Sequence, residues 1–197
     1  MSKTDPASHK KERNKTMRWV FAIFIATIVI SGIISLVSEE IMANSGIVVA
    51  FVILLVIVLV GIVFDIIGVA VTSADEKPFN AMAARKVPGA RQAISLIHNA
   101  ERVSSICNDV IGDICGVVSG AASATIAAQV LQNFTFSWPR MITLIMSSLV
   151  AGLTVGGKAM GKTFAINSST KIVHFVGRVL CFYQSITGMV SKKKNKR

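Results

Sequence analysis

The chain has 197 residues, 52% of them hydrophobic and 16% charged, with a mean hydropathy of +0.63 and a formal net charge of +11. These values exclude an ordinary soluble domain and describe an integral membrane protein of one domain. A charge of that size in a soluble chain would point to nucleic acid, but here the basic residues gather at the chain ends and between apolar runs, without aromatic interleaving.

A basic arm, residues 1–17, leads into the first apolar run, 18–38. It resembles the start of a signal peptide, yet the run exceeds a typical signal h-region and no small-x-small cleavage site follows it cleanly. The second run, 46–71, contains VVAFVILLVIVLVGIVFDIIGVAV and exceeds the roughly 20 apolar residues a spanning helix needs. Third and fourth spans are expected at 103–131 and 138–157, with Trp19 and Trp138 at the starts of the first and fourth, where indole rings favour the membrane interface. With the N-terminus inside, 20 of the 21 Lys and Arg residues fall on the inner side and only Arg140 lies outside, which is the positive-inside pattern of a bacterial-type plasma membrane. Both termini are then cytoplasmic.

The long polar connection from Ser73 to Glu101 has its own pattern. Lys77 and Pro78 open a short helix through Ala84, and Val87-Pro88-Gly89 breaks it. Ala90, Ala93, Ile94 and Ile97 then recur at helical spacing opposite Arg91, Gln92 and Ser95. The spacing predicts a cytoplasmic helical hairpin able to lie on the inner membrane surface. From Ile172 to Val190 the chain is apolar but interrupted by His174, Arg178 and Gln184, and a fifth crossing would carry the terminal SKKKNKR outside. An amphipathic helix in the inner interface is expected, with Lys171, Arg178 and the 192–197 tail near anionic headgroups. The fold class is therefore all-α: about four transmembrane helices, a cytoplasmic hairpin and a C-terminal interfacial helix.

Three aspartates interrupt the apolar runs: Asp65 in the second, and Asp109 and Asp113 in the third. An Asp at a helix centre costs roughly 2.5–3.5 kcal/mol in hydrocarbon, so each must face protein, water or a cation. Asp109 and Asp113 share one helix face and repel one another unless a cation or proton intervenes. A divalent ion bridged by Asp65 would satisfy them, and so would Lys158 acting as a fixed counter-charge. Gly112, Gly116 and Gly120, with Ser119 and Ser123, and Gly152, Gly156 and Gly157, allow close helix approach, more often within a chain than between copies.

Other chemistry is thinly represented. Cys107, Cys115 and Cys181 form no C-x-x-C pair, and His9, His98 and His174 fit no zinc spacing. There is no nucleophile elbow, phosphate loop or dinucleotide fingerprint; GGKAMGK lacks the phosphate-loop spacing. A shared-proton dyad of Asp65 and Asp113 has no flanking signature to support it. The chain is not expected to be an enzyme or to carry a cofactor.

Four segments in register give the chain a resemblance to the transmembrane domain of the CNNM/CorC-type (CorB-like) magnesium and cobalt transport and efflux proteins. The family's F-S-G-S-E-x-A-L-T-S is similar to FDIIGVAVTSA here, matching at Phe64, Ala70, Thr72, Ser73 and Ala74. Its hairpin ends near N-P-E-R, here Asn99, Ala100, Glu101 and Arg102. Its I-G-N corresponds to Ile111, Gly112 and Asp113, with Asn108 a competing match for the family's Asn. Its G-E-x-x-P-K-T-L-A is similar to GKAMGKTFA, which keeps Gly157, Lys162, Thr163 and Ala165. The resemblance covers about residues 46–185 and implies domain limits of 18–45 for an extra N-terminal helix and outer loop, 46–190 for the family-like domain and 191–197 for a basic tail.

The resemblance implies transport of Mg2+ or Co2+, a homodimer, and a cation path through Asp65, Asn108, Asp109 and Asp113, with Lys158 as gate or counter-charge. This chain departs from the family at Ile67 and Gly68, which replace its Ser and Glu, at Lys158 in place of Glu, and at Gly161 in place of Pro. A metal site here is rebuilt or lost, and in the second case the protein is a membrane scaffold or accessory subunit. The CBS modules that usually follow the membrane domain in the family are not among these 197 residues, so no built-in nucleotide control is expected, the chain working alone or with a separately encoded partner.

Overall fold

The computed structural model describes residues 6–133 and 138–194, without the side chains of 6–16, 18, 43 and 187–194. Its elements are α1 (Pro6–Ala43), α2 (Ile47–Ser73), α3 (Lys77–Ala84), α4 (Ala90–His98), α5 (Ala100–Ser105), a π-helical segment (Ile106–Gly112), α6 (Asp113–Asn133), α7 (Pro139–Asn167) and α8 (Ser169–Lys194). Four stretches are long and apolar enough to cross a membrane: Trp19–Met42, Ile47–Ser73, Ala100–Asn133 and Pro139–Asn167. The protein is an all-α, multi-pass membrane protein. The basic tail beyond Lys194 lies outside the described residues.

α2 is the central helix, packed against α5, the π-helical segment, α6, α7 and α8. It is apolar nearly all round, and six of its buried residues form one stripe: Ala50, Leu54, Val58, Gly61, Asp65 and Gly68. Steps of three and four keep that stripe on one face of a 3.6-residue helix. Asp65 falls in register with the stripe, so the helix period itself turns this carboxylate inward.

Small residues set the helix spacing around α2. A Cβ at Gly61 would lie 2.8 Å from that of Cys115, and one at Gly161 would lie 2.8 Å from Ile66; Gly157 seats against Ile62. The stripes expected to serve this purpose do so only in part. Gly116, Gly120, Gly152 and Gly156 have nothing within 4 Å of a Cβ position and leave an open small-residue surface on α6 and α7. α1 is peripheral, its exposed Phe21, Phe24, Ile28, Ile33 and Leu36 forming a lipid-facing surface. It joins the bundle through Ile23 against Val110, Ile114 and Val118, and through Gln129, whose Nε2 donates to the Met42 carbonyl at 2.6 Å.

The hairpin forms as its turn signals require. Gly89 adopts φ +87°, which a side chain would strain, and the backbone of Arg178 approaches it closely. The apolar side of the hairpin packs on protein: Phe79 of α3 and Ala93, Ile94, Leu96 and Ile97 of α4 join Ala70, Val71, Ala165 and Val173 in a second core. Arg91, Ser95 and His98 point outward, and His98 Nε2 sits 3.2 Å from Glu76 across the hairpin.

Candidate functional site

Where α2, α7 and the third span meet, three polar side chains come together. Lys158 was expected just beyond the fourth span, but α7 continues nine residues past it to Asn167 because Gly157 and Gly161 let the helix keep packing on Ile62 and Ile66 of α2. Lys158 is thereby carried into the bundle. Its ammonium donates to the Gly112 carbonyl at 3.2 Å, and its Nζ lies 3.5 Å from Asp65 Oδ1 and 3.9 Å from Asp113 Oδ1. The Asp65 side chain is 6% exposed and that of Lys158 19%, whereas Asp113 is 72% exposed.

The depth of the site follows from helix geometry. Asp65 lies eight residues before the end of α2 and Lys158 nine before the end of α7. At about 1.5 Å per residue both sit roughly 12–14 Å from those ends. Helices this long overhang a ~30 Å hydrocarbon core by only a few ångströms on each side, which puts the cluster beneath the membrane surface. Neither charge is tolerable alone there, and each meets the other.

The π-helical segment, Ile106–Gly112, carries the rest of the predicted path. A π turn shifts the helical register by one residue and is frequent at functional sites. It sets Asn108 and Asp109 in different surroundings. Asn108 packs on Gly68 of α2, donates from Nδ2 to Ser104 Oγ at 3.1 Å, and leaves its buried Oδ1 without a hydrogen-bond partner. Asp109 is exposed, accepts from Ser105 Oγ at 2.8 Å and is not within 4.0 Å of Lys158. Gly112 is required at the centre: a Cβ there would lie 2.6 Å from Asp65 Oδ1 and 3.3 Å from Lys158 Nζ.

Of the four residues expected on a cation path, Asp65 and Asp113 therefore converge, on Lys158; Asn108 lies against the same helix at Gly68, and Asp109 stands apart. Among the described residues no three His, Cys, Asp or Glu side chains are grouped to hold a metal ion. All three cysteines are free. Neither the π-helical segment nor the role of the Gly112 carbonyl has a compositional signature, so neither is legible in the sequence. Comparison with protein-family models, curated proteins and solved structures finds no match.

Proposed function

We propose that this chain is a transport or efflux protein for divalent cations, Mg2+ or Co2+, whose route passes the Asp65–Lys158–Asp113 cluster. The observation that carries the reading is a polar centre beneath the membrane surface in which acids outnumber bases. At that centre Asp65 and Asp113 stand against Lys158, leaving one net negative charge for an incoming ion, while Asp109 lies exposed to one side. Asn108 Oδ1 and the Gly112 carbonyl are oxygen acceptors of the kind a hard cation takes. On this reading Lys158 is a resident cation that an entering ion displaces, hence a gate. The CNNM-like motif order supports the same assignment, including residues 46–190 as the transport domain, cytoplasmic termini in a bacterial-type plasma membrane, and a homodimer covering the open glycine surface of α6 and α7.

One observation favours the alternative of a scaffold or accessory subunit: the Lys158 ammonium already donates to the Gly112 carbonyl and has both Asp65 and Asp113 within ion-pair distance. Flux separates the two. Purified protein in liposomes loaded with a Mg2+ indicator is expected to admit Mg2+, and Asp113→Asn to lose that flux while eluting as folded protein. No flux through folded wild type assigns the protein to the accessory role.

A further inference from the structure

The outward face of α8 is apolar where a helix beside water would be polar. Phe175, Val179, Phe182 and Ile186 are 45–69% exposed, as is Tyr183, and their spacing places them on one stripe. The opposite face is taken by protein. Val173 is fully buried, Gly177 packs on the backbone of Gly89, and Gln92 Nε2 donates to Gln184 Oε1 at 3.0 Å. Lys171 and Arg178 are exposed and lie one turn before Phe175 and Phe182 respectively, along one edge of the stripe.

α7, the last helix long and apolar enough to cross a membrane, ends at Asn167 and α8 begins at Ser169, so α8 follows directly on the end of that candidate span. A helix in that position, with an aromatic stripe and a basic edge, fits an interface rather than a crossing. We propose that the α8 stripe is embedded edge-on in a leaflet of anionic lipid, with Lys171 and Arg178 at the headgroups, and that through Gly89 and Gly177 this contact fixes the position of the hairpin. Charge selects the occupant: a second copy docked on the same stripe would bring two basic edges together, whereas anionic headgroups complement them. Each basic side chain near such a surface is worth ~1 kcal/mol, an about fivefold local enrichment of anionic lipid. This inference does not depend on cation transport.

The test places a single indole on the stripe, in full-length protein carrying Trp19→Phe, Trp138→Phe and Phe182→Trp, with Phe175→Trp as a second position. The protein is reconstituted in mixed phosphatidylcholine and phosphatidylglycerol vesicles, with one lipid or the other brominated. The expected result is a blue-shifted indole quenched several-fold more by brominated phosphatidylglycerol, the preference disappearing when Lys171→Gln and Arg178→Gln are added. Equal quenching by the two lipids overturns the proposal. So does quenching by neither, whether the indole is open to water or is covered by another copy as protein concentration rises.

Discussion

Removing the Lys158 charge should cost more than any other single change in the bundle. Lys158→Met leaves Asp65, whose side chain is 6% exposed, facing Gly112 and apolar helix with no cation. Breaking a buried ion pair from one side costs ~3–5 kcal/mol. Lys158 is itself about one-fifth exposed, so the lower end applies, about 3 kcal/mol. For a chain of this size each kcal/mol moves the melting temperature by ~2–4 °C, giving an expected fall of about 6–12 °C in detergent. Asp65→Asn together with Lys158→Met removes both charges, and the pair should recover most of the loss, a coupling of about 2 kcal/mol by the double-mutant cycle. Intrinsic-fluorescence melting of the four proteins measures it. A single-variant loss below about 1 kcal/mol, or losses that simply add, would refute the burial argument, because the charges would then be independently solvated.

Three further outcomes follow from the packing. Gly112→Ala and Gly116→Ala should shift melting in opposite directions: the first Cβ collides with Asp65 and costs about 1–2 kcal/mol, while the second meets nothing within 4 Å and gains up to about 1 kcal/mol of helix propensity. Gly89→Ala forces a side chain at φ +87° and 2.6 Å from the Arg178 nitrogen, so hydrogen exchange should quicken across residues 169–186 while α2 and α6 keep their protection. Gln129→Leu removes the donor to Met42 and should cost about 1–2 kcal/mol, read as faster exchange at the end of α1.

The spans were legible because an apolar run of 20 or more residues has few other solutions, and the hairpin because Val87-Pro88-Gly89 stops one helix and seats the next. The intramembrane acids announced themselves by cost. Their partner was legible only as an alternative: Lys158 ends an apolar run in sequence, and nothing local shows that α7 carries on through Gly161 with its glycines against Ile62 and Ile66. The π-helical segment at Ile106–Gly112 was invisible for a different reason, since a one-residue change of register alters which groups face α2 without altering composition. The seat of Asn108 on Gly68 depends on that register. Amphipathicity shows that a face of the hairpin is buried but not against what; α4 gives its apolar face to protein, while the apolar stripe of α8 stays exposed.

On the proposed transport reading the Lys158 ammonium stands where a divalent cation is received, and melting of Lys158→Met with and without Mg2+ measures whether it does. If Mg2+ takes the vacated place beside Asp65, Asp113 and Gly112, it binds the folded variant and stabilises it by RT ln(1 + [Mg2+]/Kd). At ten times Kd this is ~1.4 kcal/mol, or about 3–6 °C in melting temperature. That shift is expected in Lys158→Met, a smaller one in wild type, and none when Asp65→Asn is added; a folded Lys158→Met protein that melts at the same temperature with and without millimolar Mg2+ would mean that no cation is received there.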